Sequence, residues 1–235
     1  MIAVSDFRFG VIIFPGTSCG QDVVHAIRHL GFDADYVWHA DSSLDGFDAV
    51  VIPSGASYGN YLRSGAIASH SPIMEAVKDY AELGKPVLGI SNGFQILTEA
   101  GLLPGEMLQN KSVKYVSKSV QISVQNNSCQ WLDIAPGTEL TLPISHGFGS
   151  FYVDQDTLKE MEANGQIVLC YAQCDCAAAD QEDASCSLDS IAAVSNRQGN
   201  VLGMMPYPER VTDGIAGTDG GAFFSAIVKH IKEVA

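Results

Sequence analysis

The run Val87-Leu88-Gly89-Ile90-Ser91-Asn92-Gly93-Phe94-Gln95-Ile96-Leu97 restricts what this chain can fold into more than any other stretch. A short apolar strand enters a Gly-x-Ser-x-Gly turn, and an amphipathic helix leaves it. In such a turn the chain reverses sharply, the central side chain is lifted above the end of the strand, and the flanking glycines relieve the crowding. The first backbone N–H groups of the helix then face any negative oxygen that develops there. This grammar belongs to an open sheet with helices packed on it, and it places Ser91 on the tip of the turn.

The segments before it agree. Phe9 to Phe14 is a nearly continuous apolar run, as expected of a strand covered on both faces. A turn cluster, Pro15 to Gly20, precedes Val23, Val24, Ile27 and Leu30 at helical spacing, and Gly31 stands where a helix stops. Tyr36-Val37-Trp38 and Ala49-Val50-Val51-Ile52 read as the next strands, and the loop Pro53 to Gly59 sits at a strand's carboxyl end, where open parallel sheets bind ligands. Ser71-Pro72 predicts a capped helix start, carried by Ile73, Met74, Val77 and Ala81 and ended at Gly84.

Beyond Leu102 the pattern changes. Tyr115 to Val124 alternates as a half-exposed antiparallel strand does, and Leu140 to Ile144 and Gln166 to Tyr171 read as further strands. A short helix is expected near Asp156 to Met161, an acidic loop at Ala177 to Asp189, a hairpin at Ile191–Val194 and Val201–Met205, and a closing helix from Gly221 to Ile231. The expectation is a doubly wound, flavodoxin-like α/β fold, with a mostly parallel sheet over residues 8 to 100 and antiparallel C-terminal strands. No repeat or linker divides it, so residues 1–235 are expected to form a single domain.

A net charge of −14 argues against a nucleic-acid or anionic-membrane surface, both of which are read with clustered Lys and Arg. No apolar run reaches the length of a membrane span, and the first residues lack the basic start and apolar core of a signal peptide, so a cytoplasmic location is expected. The six cysteines are too few and scattered for a disulfide scaffold. Cys174, Cys176 and Cys186 match no zinc spacing, and neither a metal nor a cofactor is expected.

One resemblance covers nearly the whole chain. Phe14-Pro15-Gly16, Tyr36-Val37-Trp38-His39, Ser43 to Asp48, Ser57-Tyr58-Gly59, Gly65 to Ala68, Ser71 to Met74, Asn92 to Leu97, Ser145-His146-Gly147 and Gly203 to Pro206 occur in the order in which similar motifs occur in one family. The chain resembles the glutaminase subunits of phosphoribosylformylglycinamidine synthase, class I (triad) glutamine amidotransferases of purine synthesis. The resemblance implies a cysteine at the turn that attacks the glutamine amide, and a histidine and glutamate from a His-Pro-Glu-Arg stretch that activate it. It also implies a large synthetase partner that receives the ammonia.

Carried over residue by residue, the nucleophile position holds Ser91, the base position Tyr207 and the orienting position Glu209. Ser54 and Gly55 stand in the family's Pro-Gly-Gly oxyanion loop, His146 in its His-Gly-Glu-Gly stretch, and Asn92 and Gln95 match residues lining the glutamine site. A serine hydroxyl needs a competent base during attack, whereas a thiol of pKa about 8.5 needs only a modest shift. A phenol of pKa about 10 is a poor acceptor at neutral pH. Losing nucleophile or base alone costs a serine protease on the order of a millionfold. The expectation is therefore a degenerate glutaminase subunit with weak or absent hydrolysis. Two alternatives stay open: a serine hydrolase using the Gly-x-Ser-x-Gly turn, with His146 as substitute base, and a non-catalytic subunit that binds glutamine or a related amide.

Overall fold

The computed structural model describes residues 7–126, 128–172 and 187–234. The first half carries β1 (Arg8–Ile13), α1 (Gly20–His29), β2 (Asp33–Trp38), β3 (Ala49–Ile52), α2 (Ile73–Glu82), β4 (Val87–Ile90) and α3 (Asn92–Glu99). The second carries β5 (Glu106–Leu108), β6 (Val116–Val124), β7 (Glu139–His146), β8 (Ser150–Tyr152), α4 (Gln155–Ala163), β9 (Ile167–Tyr171), β10 (Ile191–Ser195), β11 (Val201–Met204) and α5 (Gly221–Val234). Cys174, Cys176, Cys186 and most of the expected acidic loop lie outside the described residues.

Nine strands form one sheet in the order β2-β1-β3-β4-β11-β10-β9-β6-β7. From β2 to β11 all neighbours are parallel, and from β11 to β7 all are antiparallel. The strands with continuous apolar runs are those buried on both faces. On β3, Ala49 and Val51 face a core with Val23 and Ile27 of α1 and Phe223, Phe224 and Ile227 of α5. Val50 and Ile52 face the opposite core, with Ile73, Met74 and Val77 of α2 and Phe94 and Leu97 of α3. Each of these valines, leucines, isoleucines, methionines and phenylalanines contributes roughly 1.5–3 kcal/mol by leaving water. The doubly wound fold with antiparallel C-terminal strands is the one expected.

Beyond strand boundaries, two details differ from expectation. The Ser71 hydroxyl does not cap α2: Pro72 holds the cap position without a side-chain bond, and Ser71 Oγ lies 3.1 Å from the Tyr58 hydroxyl. That phenol, held on its other side by His39 Nδ1 at 2.9 Å, outcompetes the helix end for the hydroxyl. The second is a separate antiparallel pair, β5 with β8, whose three-residue strands are too short to show a period of two.

β1 is flanked by β2 on one side and β3 on the other, so the connections reverse direction across it. Doubly wound sheets open a crevice at that point, beyond the strands' carboxyl ends. The loops after β1 and β3 meet there, and β4 pairs directly with β11. The segment that leaves β11 is thereby delivered beside the turn that leaves β4.

Candidate active site

Ser91 stands between β4 and α3 with φ 51° and ψ −101°. A positive φ is costly for a residue with a side chain, of order 1–3 kcal/mol, and persists only where the surroundings enforce it. Here the Ser91 N–H donates to Met204 O at 2.7 Å and its carbonyl accepts from Gln95 N at 3.1 Å. The turn is thus anchored to β11 on one side and to α3 on the other.

The Tyr207 hydroxyl is the hub of the site. It lies 2.8 Å from Ser54 Oγ, 3.1 Å from Ser91 Oγ and 2.7 Å from Ser145 O. A phenol has one proton, and a carbonyl can only accept. The phenol therefore directs its proton between Ser145 O and Ser91 Oγ, and Ser54 Oγ donates to the phenol oxygen. Burial pushes the Tyr207 pKa up to about 12, against the hydrogen bonds with Ser54 and Ser91, which lower it. Ser91 Oγ consequently faces a neutral hydrogen-bond donor and not a base.

Glu209 follows on a short 3-10 turn over Pro208–Arg210. Its side chain is 4% exposed and neither carboxyl oxygen has a hydrogen-bond partner. Burial raises its pKa to about 8, so at neutral pH it is mostly an uncharged acid. It makes no bond to Tyr207, and the orienting role implied by the resemblance has nothing to orient.

His146 ends β7 and is buried. Its Nδ1 lies 3.1 Å from Asn110 Oδ1, which also accepts the Gly149 N–H at 3.0 Å. Because that oxygen only accepts, the ring proton sits on Nδ1 and Nε2 is a bare acceptor, without a partner. Burial lowers the His146 pKa to about 4, so the ring is neutral. No bond joins it to Ser91. Asn110 gave no sequence signal: a lone Asn in a loop reads as turn chemistry, and its partners are supplied by the β7–β8 connection.

The two amides assigned to ligand binding are engaged within the protein. Asn92 Oδ1 accepts the Ser57 N–H at 3.0 Å, and Asn92 Nδ2 donates to Gln95 Oε1 at 2.9 Å. Gln95 Nε2 in turn donates to Phe148 O at 2.6 Å. Asn92 ties the loop after β3 to α3, and Gln95 ties α3 to the loop after β7. Gly55 bridges to Thr17, and a Cβ there would lie 2.7 Å from Gly16 O and Ser18 N, so only glycine permits these loops to touch.

Ser54, Gly55, Ser91, Gln95, His146 and Tyr207 all line one cavity of about 270 Å³, while Asn92 and Glu209 stand behind its wall. Cys19 and Arg210 line it as well. The signal that could have found Cys19 is its position in the turn cluster after β1, at a strand's carboxyl end. Among the described residues no cluster of His, Cys, Asp or Glu suited to a metal occurs, and no helix is long and apolar enough to cross a membrane.

An open α/β sheet with a strained strand-to-helix turn, faced by the loop that leaves the neighbouring parallel strand, is the arrangement of nucleophile-elbow proteins, and the comparisons place this one in the glutamine amidotransferase class. The chain belongs to the family of CobB/CobQ-like glutamine amidotransferase domains, whose model matches residues 7–219. A chain in the structure of PurLQS from Thermotoga maritima is 37% identical, covers 97% of this chain and 100% of its own length, and superposes with a TM-score of 0.85. The protein is accordingly a homologue of the phosphoribosylformylglycinamidine synthase glutaminase subunit, as its motifs implied. A glutamine amidotransferase from Thermotoga maritima, 12% identical over 97% of this chain and 99% of its own, shares the fold with a TM-score of 0.61.

Proposed function

We propose that residues 1–235 act as one glutaminase-type unit that keeps a face for a large synthetase subunit, while its own glutamine hydrolysis is weak or absent. The observation that carries this reading is the Tyr207 hydroxyl, which donates toward Ser145 O and Ser91 Oγ and accepts from Ser54 Oγ, so that Ser91 faces a donor where a base is needed. Attack by Ser91 needs an acceptor for its proton during the reaction, and a neutral phenol with pKa about 12 is the wrong group at pH 7. Ammonia for a synthetase would then come from solution or from an intact second subunit.

A docking face is supported by the mouth of the cavity. Tyr115 and Phe148 line both the cavity and its rim, and Tyr61 and Leu62, 74% and 93% exposed, lie beside the lining residue Asn60. Asn60 and Leu62 have φ of 54° and 68°. A leucine held in the left-handed region and turned wholly to solvent is a poor arrangement for an isolated chain. It suits a surface that another protein covers.

The test is ammonia release from glutamine at pH 7 to 8, by the chain alone and with the synthetase subunit present. No release above the blank is expected in either case. Release that a glutamine-analogue inhibitor blocks and Ser91→Ala abolishes would replace this reading with a serine glutaminase.

A further inference from the structure

At the edge of the sheet, β2 turns two large aromatic side chains to solvent: Tyr36, 55% exposed, and Trp38, 48% exposed. Alternate residues of a strand share a face. Pairing with β1 sets Tyr36 beside Val11 and Trp38 beside Ile13, on the side of the sheet that α1 covers. Both rings line a pocket of about 540 Å³, walled by Thr17, Ser18, Gly20 and Gln21 at the start of α1 and by Asp41 after β2. That size falls within the range of ligand sites.

An edge strand invites a further strand, but this one is already capped. The Asp33 and His39 N–H groups go to Phe7 O and Ile13 O, so the even-numbered residues between them face outward. Ala34 N–H donates to Asp33 Oδ1 at 2.9 Å, and Ala34 O accepts from Arg28 at 2.7 Å. Trp38 N–H donates to Asp41 Oδ2 at 2.9 Å, and Trp38 O accepts the Asp41 N–H at 2.9 Å. Only the backbone of Tyr36 is left, too little to anchor an added strand.

What stays open is side-chain chemistry. Aromatic faces attract cations, and Asp41, with Oδ2 on the Trp38 N–H, has Oδ1 to offer beside them. His39 packs edge-on against the indole, with 4.5 Å between ring centroids, and fixes its position. Among the described residues no Lys, Arg or His lines the pocket, and the chain carries a net charge of −14. A flat, weakly hydrated guanidinium fits this set better than an ammonium, because it stacks on a ring while its N–H groups reach a carboxylate. Ser18 lines both this pocket and the active-site cavity, so a protein seated on the cavity mouth reaches both.

We propose that the pocket of Tyr36, Trp38 and Asp41 receives an arginine side chain of the synthetase subunit. The proposal rests on the docking reading above and names the chemistry by which that partner is recognised. The guanidinium lies over the Trp38 ring and donates to Asp41. The complementary charge favours encounter with so acidic a chain and fixes the register of docking.

Trp38 reports on its own pocket, because the other tryptophan, Trp131, is only 1% exposed. Ethylguanidinium is titrated into the full chain while tryptophan emission is followed, with neutral ethylurea as the comparison. A saturable change at roughly millimolar concentration is expected with ethylguanidinium and not with ethylurea. Trp38→Leu should abolish it, and Asp41→Asn should weaken it about tenfold. Asparagine keeps an oxygen for the Trp38 N–H and removes only the charge. In titrations against the synthetase, Asp41→Asn should weaken association about tenfold and flatten its salt dependence. No saturable response to ethylguanidinium, or an equal response to ethylurea, would overturn the proposal. So would an Asp41→Asn chain that binds the synthetase as tightly as the unmodified one. If Leu62→Asp weakens binding in that same assay, the docking reading stands while this one falls. An unmodified chain that does not bind the synthetase ends both.

Discussion

Tyr207 ties three elements together through one oxygen: the loop after β3, the turn after β4 and strand β7. An imidazole in its place would free Ser54 and Ser145 and offer a nitrogen to residue 91. Ser91→Cys with Tyr207→His should therefore recover glutamine hydrolysis to a fraction of normal family rates. Either change alone should recover very little, because nucleophile and base act as one unit. Ser54→Gly should raise the rate of the double variant further, since it clears the oxyanion loop, a part typically worth about 3 to 4 kcal/mol. Ammonia release by the single, double and triple variants, assayed with the synthetase, checks the series.

Glu209 carries a second prediction at this scale. Its folded pKa, about 8, is raised from 4.5, so between those values the folded chain holds a proton that the unfolded chain has lost, and stability falls as pH rises. His146, lowered from 6.5 to about 4, acts with the opposite sign between those values, because the unfolded chain then binds the extra proton. The two slopes cancel from about pH 4.5 to 6.5. From 6.5 to 8 only Glu209 remains, and its contribution falls by about 2 kcal/mol. Urea unfolding at pH 6.5 and pH 8 should show that loss in the unmodified chain and not in Glu209→Gln. The sequence could name Glu209 and Tyr207 as substitutions within a familiar motif. It could not show that the carboxyl is orphaned or the phenol triply bonded, because the first depends on how the chain packs around it and the second on residues 62 to 153 positions away.

At the scale of elements, α3 meets β3 through the absence of a side chain. A Cβ on Gly93 would stand 1.9 Å from Ile52 O and 3.1 Å from Ile52 Cβ. Backbone cannot yield as a flexible side chain can, so Gly93→Ala must push α3 off the sheet, costing about 2 to 4 kcal/mol and dragging Ser91 with it. Urea unfolding measures the loss. Elements with long apolar periods, such as β1, β3, α2 and α5, were legible because burial on a defined face leaves its period in the sequence. β2 begins three residues before its apolar run because it is the sheet edge, where Asp33 and Asp35 reach Arg8 on β1. β5 and β8 left no such trace, and Ser71 looked like a cap until Tyr58 claimed its hydroxyl.

For the whole molecule, the decisive contact is the parallel pairing of β4 with β11, more than a hundred residues apart in the chain. Local pattern says nothing about such an adjacency, and the motif resemblance alone could bring residues 207 to 210 to Ser91. The exposed apolar side chains Tyr115 and Phe148 line the cavity at the carboxyl end of the sheet, and the exposed Tyr61 and Leu62 follow its lining residue Asn60 in the chain. Leu83, also exposed, follows α2 and leads into the start of β4, at the opposite end. If the rim is the synthetase face, a charge there should act on binding and not on folding. Leu62→Asp suits the purpose, because aspartate tolerates the left-handed backbone of this position better than leucine does. It should weaken association with the synthetase about ten- to a hundredfold, as loss of an apolar anchor does, while stability stays within about 0.5 kcal/mol. Leu83→Asp should leave association unchanged. Titration of each variant into the synthetase checks both, and a Leu62→Asp chain that binds as tightly as the unmodified one would move the docking face elsewhere.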